Sequence, residues 1–296
     1  MQLFKVYDQP LVNPAEPKPF AMDRLNVFSI PINIGTYNQF ISTVIADAGL
    51  RKSYYTCVAN VHMLVEAYRD RLFAKTVSNA RVIAPDGRPL TWAIRMFYGI
   101  SQDRVAGMDL LPDLLEVSQE KEISVYFYGG HPDMVAKTRI YLKMKYPHLK
   151  LAGFYSPPFK KLNEKEEALI VRDINASGAQ IVFVSLGCPK QEKWMASMQH
   201  RVNGVMIGIG GALSVMVGVQ KRAPKWVQTA GLEWSFRLFQ EPTRLFTRYA
   251  KTNSTFIYLF IKSFFRRRFS LQDNNVIDFD PKIVPMLVSR VKDDKY

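Results

Sequence analysis

SGAQIVFVSLGCPKQEKWM, residues Ser177–Met195, carries the densest structural signal in the chain. Its apolar run Ile181–Leu186 has strand length and strand composition, and it stops at Gly187 and Pro189 before a segment of helical character. A second run, Gly204–Ile207, meets Gly208, Gly210 and Gly211 and then another helix-like segment. Two successive strand-to-helix turns rich in glycine are a common way for an α/β sheet to expose backbone N–H groups to phosphate oxygens.

The same alternation extends upstream. Asn26–Asn33 reads as β, Tyr37–Ala48 as helix, Tyr54–Ala59 as a buried strand, and Asn60–Val77 as one helix with Met63, Leu64, Ala67 and Leu72 on its apolar face. Strands follow at Arg81–Ala84, Ile123–Tyr128 and Leu149–Ala152, separated by helices at Leu90–Tyr98, Asp109–Glu120 and Pro132–Tyr146. Asn163, with Glu166 three residues on, predicts a capping box, and Gly178 ends that helix. Strands alternating with helices predict an α/β fold: a mostly parallel, Rossmann-like sheet with helices on both faces. In such a sheet Asn60, Asp86, Gly129, Gly187 and Gly208, each just after a strand, gather at one edge, where ligands bind.

Four segments follow from the pattern. Residues 1–22, with Pro10, Pro14, Pro17 and Pro19, read as an extended leader, and residues 23–230 as the α/β core. Residues 231–269 are basic and aromatic, with Arg237, Arg244, Arg248, Lys251, Lys262 and Arg266–Arg268 against Glu233 and Glu241. They predict a helical appendage suited to a membrane interface or to covering an anionic ligand. Residues 270–296 read as a flexible tail.

The 296 residues are 48% hydrophobic and 22% charged, a globular composition. The formal charge of +14 points to an anionic partner: nucleic acid, an anionic membrane surface or a phosphorylated substrate. Two distant cysteines, Cys57 and Cys188, make neither a disulfide framework nor a metal motif, and they suit a reducing compartment. No signal peptide and no apolar run of about twenty residues is visible, which predicts a soluble or peripheral protein.

Asp86, in Pro85-Asp86-Gly87, is the best candidate for a catalytic carboxylate, because a short acid on the loop after a strand can reach a substrate; an ordinary turn explains it too. Asn60 can cap a helix or bind substrate. Arg104 and Asp109 flank the same edge, Asp109 reading first as a cap. Gly129-Gly130 and Gly208–Gly211 can cradle phosphate or simply permit close packing. Lys190, Gln191 and Glu192 can solvate a helix start or bind sugar or ribose hydroxyls. The one DxD sequence, Asp278-Phe279-Asp280, stands in the tail and reads as a solvated coincidence. No metal or cofactor is expected, and arginines and helix N-termini are left to neutralise any diphosphate.

Taken in order, VANVHMLVEA, PDGRP, RVAGMDL, YGGHP, SPPF, LGCPKQEKWM, IGGAL, KRAPKW, GLEWSFRL and EPTRLFTRY resemble the WecG/TagA/CpsF glycosyltransferases, glycosyltransferase family 26, across roughly Asn33–Asn253. The VANVHM form is most similar to members from exopolysaccharide pathways. The resemblance implies inverting transfer from a UDP-sugar to an undecaprenyl-diphosphate-linked acceptor at the cytoplasmic membrane face, without a DxD metal site. It implies Asp86 as general base, and Arg237, Arg244 and Arg248 as the cations on the diphosphate leaving group, with Glu233 in the same block. Val58 stands where related members have a threonine, Thr56 being two residues earlier, so Asn60 is the residue that matches. Self-association is compatible with the family. The charge alone also fits a nucleic-acid binder, although no such motif is present, and the glycine turns alone fit an NAD-dependent dehydrogenase, although the full fingerprint is missing. A non-catalytic membrane tether is the remaining reading.

Overall fold

The computed structural model describes residues 22–269, apart from 159 and 161. The expected leader, the tail and Asp278-Phe279-Asp280 therefore lie outside the described residues, except Met22. In chain order the elements are β1 (Arg24–Val27), β2 (Ile30–Asn33), α1 (Tyr37–Gly49), β3 (Tyr54–Ala59), α2 (Val61–Arg69), α3 (Arg71–Ser78), β4 (Val82–Pro85), α4 (Arg88–Tyr98), α5 (Gly107–Glu120) and β5 (Val125–Gly129). Then come α6 (Pro132–Lys145), β6 (Leu151–Tyr155), α7 (Glu164–Ala176), β7 (Ile181–Ser185), α8 (Lys190–Met198), β8 (Val205–Gly208), α9 (Ala212–Met216), α10 (Lys225–Thr229), α11 (Glu233–Gln240) and α12 (Pro242–Phe269).

β3 to β8 form one parallel sheet in the order β4-β3-β8-β7-β5-β6. Strand composition explains why it is covered on both sides. Side chains alternate between faces with period two. On β7, Val182 and Val184 pack into one core with Tyr55, Tyr128 and Met206, while Ile181 and Phe183 pack into the other with Phe127, Val205 and Ile207. Phe127 is held between Phe154 and Phe183, with ring centroids 5.1 and 5.3 Å away. The expected α/β architecture with helices on both faces is therefore the observed one.

The β-like stretch at residues 26–33 is a hairpin. It sits beside the edge strand β4, where buried Asn33 accepts a hydrogen bond from the Ile83 N–H at 2.7 Å. The single helix expected at Asn60–Val77 is two. Asp70 adopts an extended conformation, its N–H closing α2 on the Glu66 carbonyl while its carboxylate accepts from the N–H groups of Leu72 and Phe73 to start α3. An aspartate is a strong N-cap, and this one overrides the helical periodicity running through it. The break turns Leu72 out to solvent and brings Phe73 and Val77 inward. The capping box at Asn163 is present, with reciprocal bonds to Glu166 of 2.9 Å.

The order of strands makes a switch between β3 and β8: the chain leaves β3 toward β4, and β8 joins from the opposite side. The carboxyl ends of β3, β4, β8 and β7 consequently surround one opening, where α/β sheets bind ligands.

Candidate active site

That opening is a cavity of about 1000 Å³, floored by the strand ends and walled by α4, α11 and α12. Asn60, Asp86, Gly187, Gln191, Gly208, Gly210, Gly211, Glu233, Arg237, Arg244 and Arg248 all line it. Residues up to 188 positions apart in sequence are thus brought to one place by sheet order and by the return of the C-terminal helices.

Asp86 directly follows β4. Its backbone N–H bonds the Ala59 carbonyl at 2.7 Å, which fixes the turn against β3. Gly87 has φ of +93°, a value that strains any residue with a Cβ, so the turn aims Asp86 without a side chain in the way. Burial, followed by the negative charge of Glu233, pushes the Asp86 carboxyl up to about 7; Arg237 and Arg104 pull in the opposite direction. A carboxyl poised near neutrality can accept a proton from a hydroxyl and return it to water.

The second carboxylate is pinned by a guanidinium. Arg104 donates to Glu233 at 2.6 Å and to Asp109 at 3.0 Å, and Asp109 also takes Arg222. Arg104 is therefore committed to two carboxylates behind the wall and does not line the cavity, contrary to its expected place at the ligand. Glu233 keeps its other oxygen buried without a hydrogen-bond partner.

The cations come from three helices. Arg237 of α11 reaches the Met108 sulfur at 3.4 Å, and Arg244 pairs with Glu241. Arg248 of α12 stacks over Tyr249 at 5.4 Å and has a buried Nε with no partner. Arg88, in the first turn of α4, also has a buried, partnerless Nε facing this cavity; sequence reading passed over it, although it stands two residues beyond Asp86. His62 is likewise in the lining, and burial together with the nearby Arg248 lowers its pKa, which favours the neutral imidazole.

Several expected site residues prove to be supports. Gln191 is buried, its carbonyl oxygen accepting from the N–H groups of Gly187 at 3.2 Å and Gly210 at 3.1 Å, so one side chain ties the two glycine turns together. Its amide donates to Glu192 at 2.8 Å. Glu192 is fully enclosed, out of reach of the cavity, and burial raises its pKa. Lys190 is exposed and lies outside the lining. Gly129 is also outside: with φ of +108°, a Cβ there would stand 2.5 Å from the Ser185 carbonyl oxygen, so its role is close packing of β5 on β7. The expected phosphate cradle at Gly208–Gly211 is partly spent, since the Ile209 N–H bonds Val184 and the Gly210 N–H serves Gln191. Gly208 must lack a side chain because Gln191 lies 2.7 Å from where its Cβ would be. Asn60 caps α2 through its carbonyl oxygen, accepting from Met63 N–H at 3.1 Å, which leaves its amide for the cavity. Thr56 is buried away from the site, and Val58 lines it.

Comparison with known sequences gives the family of the chain. The chain is 32% identical to the N-acetylglucosaminyldiphosphoundecaprenol N-acetyl-beta-D-mannosaminyltransferase of Bacillus subtilis (strain 168) over 186 residues, 62% of this chain and 71% of the relative. It is 32% identical to the protein of the same name from Bacillus spizizenii over 194 residues, 65% of this chain and 74% of that one. The sequence model of the glycosyl transferase WecG/TagA/CpsF family matches residues 25–270. The chain belongs to the WecG/TagA/CpsF family of glycosyl transferases.

Proposed function

We propose that this glycosyl transferase moves a sugar from a UDP-sugar to a hydroxyl of a polyprenyl-diphosphate-linked sugar, with inversion at the anomeric carbon, in the synthesis of an exopolysaccharide or other surface polysaccharide. The observation that carries the reading is the opposition of Asp86, a carboxyl held near neutrality, to arginines on α11 and α12 across one cavity. The relatives' names supply the class of acceptor.

In this reading Asp86 accepts the proton of the acceptor hydroxyl as its oxygen bonds to the anomeric carbon. The bond from that carbon to the diphosphate oxygen breaks on the opposite side, and UDP departs with the electron pair. Arg237, Arg244 and Arg248 neutralise the charge that develops there. Guanidinium donors fixed in a partly dry site act on such charge without reorganising, typically for a factor of about 10² to 10³ per donor. Asn60 and Glu233 offer an amide and a free carboxylate oxygen to sugar hydroxyls. These cations take the part that a divalent ion plays elsewhere.

The enzyme works at an anionic membrane surface in this account. Trp226, Phe239 and Phe246 are exposed aromatics beside Lys225 and Arg244, a combination suited to the headgroup region. No helix of the described residues is long and apolar enough to cross a membrane.

A donor screen tests the proposal. UDP release is followed with a panel of UDP-sugars and a short-chain lipid-diphosphate sugar, with and without EDTA. Release with one donor that requires acceptor and ignores EDTA is expected. Release abolished by EDTA would overturn the assignment of charge neutralisation to arginines, and acceptor-independent release would overturn the transferase reading.

A further inference from the structure

The cavity does not end at the arginines. It continues as a trough between α4 and α12, with Trp92 and Met96 on one side and Phe256, Ile257 and Phe260 on the other. Trp92, Met96 and Ile257 are about half exposed, so the trough is an open apolar seam and not a filled core. The α12 side is held by ring contacts: Phe256 stacks edge-on to Phe28 at 5.5 Å, and Phe260 lies 5.2 Å from Phe97. At the far end Arg267 sits over the Tyr98 ring at 4.4 Å and donates to its hydroxyl at 2.8 Å, joining the same two helices.

We infer that this trough holds the first isoprene units of the acceptor's lipid chain, extending the transferase reading on which it rests. Charge complementarity selects the occupant. The near end is marked by Arg88 on α4, whose buried Nε lacks a partner and which has no part in holding the departing UDP, and the surface beyond is apolar apart from Thr252 and Asn253. A ligand with a phosphorylated head and a hydrocarbon tail matches both parts, whereas a nucleotide-sugar leaves the apolar part bare and a plain acyl chain leaves the Arg88 guanidinium unpaired. Twelve residues separate Arg248 from Phe260, about 18 Å along the helix at about 1.5 Å per residue. An isoprene unit adds four carbon–carbon bonds of about 1.5 Å, roughly 5 Å extended, so three to four units fill the trough. Burial of each unit against Trp92 and Ile257 removes apolar surface from water, and the remainder of a longer chain stays in the bilayer.

Calorimetry on the full chain tests this without turnover, using inorganic diphosphate and the geranyl, farnesyl and geranylgeranyl diphosphates below their micellar concentrations. Affinity should rise about tenfold per isoprene unit and level off by the fourth. Trp92→Ser and Ile257→Asn, both at half-exposed positions, should each cut the ratio of farnesyl to inorganic diphosphate affinity at least tenfold. No gain with chain length, or a gain that survives both substitutions, would overturn the inference. So would a loss of flotation on phosphatidylglycerol vesicles with an unchanged affinity ratio, which would assign the seam to the bilayer. Because no sugar is transferred here, acceptor-independent release in the donor screen beside a positive chain-length series would sink the transferase reading and leave the trough standing.

Discussion

The carboxyl ends of the strands and the C-terminal helices face each other across the cavity, and they are built differently. Asp86, Asn60 and the glycine turns stand on β4, β3, β7 and β8, whose residues are nearly all fully buried; β3, β7 and β8 share ladders with neighbours on both sides, while the edge strand β4 pairs with β3 and donates its Ile83 N–H to the Asn33 side chain of the hairpin. α11 buries no residue fully, and α12 is attached by a narrow stripe that includes Leu245, Thr252 and Phe256, the Arg69–Thr255 hydrogen bond and the Arg267–Tyr98 contact. Thus the proposed proton acceptor stands on a fully buried sheet edge, while the cations stand on helices attached through fewer buried side chains, the pattern of lower local stability. Arg104 joins the two regions, one guanidinium gripping Asp109 of the core and Glu233 of the appendage.

Breaking the sheet side has the largest effect. Asp86→Asn should lower kcat by about 10² to 10⁴ with UDP affinity nearly intact, measured by turnover and by UDP calorimetry. The same variant sharpens the stability contrast. Because the folded Asp86 carboxyl is raised to about 7, its contribution to stability is complete below the ordinary carboxylate range and is lost as pH rises through 7. Asp86→Asn should therefore melt at a higher temperature than wild type at pH 8 and show no such gain at pH 4.

On the helical side, Arg248→Ala should reduce kcat/KM by about 10², with far-ultraviolet circular dichroism unchanged, since its Nε has no partner in the protein to lose. Smaller effects separate support from chemistry. Gln191→Ala strands the Gly187 N–H, leaves the Gly210 N–H only its long bond of 3.4 Å to the Val184 carbonyl, and should destabilise the core by about 1–3 kcal/mol in urea unfolding. Asp70→Ala removes the cap that starts α3 and should cost about 1 kcal/mol by the same measurement, with kcat unchanged.

Much of the sheet side was legible in the sequence, and for a physical reason. Buried parallel strands are written as continuous apolar runs, so Tyr54–Ala59 and Ile181–Ser185 are found where composition puts them, and the residues after each run fall at one edge. Asp86, Asn60 and Gly208 follow from that rule alone. Residue type could not say which polar groups face the cavity and which hold it. Glu192 and Gln191 are neighbours in sequence with similar side chains, yet one is enclosed and the other spans two turns, because the first turn of α8 points one inward and the other across the glycines. Arg104 looked like a ligand arginine until Glu233, 129 residues away, arrived beside it. The trough was illegible for a similar reason: Trp92 and Ile257 are ordinary half-buried apolar residues on their own helices, and only the packing of α12 along α4 makes them one surface.

The central claim, that Asp86 is the base and is tuned by Glu233, is tested most directly by the pH dependence of kcat/KM for wild type and Glu233→Gln. Wild-type activity should fall about tenfold per unit below pH 7, and removing the Glu233 charge should move that limb to lower pH, because the negative neighbour is what favours the protonated carboxyl after burial. A wild-type profile flat from pH 5 to 8, or a limb that stays in place in Glu233→Gln, would contradict it.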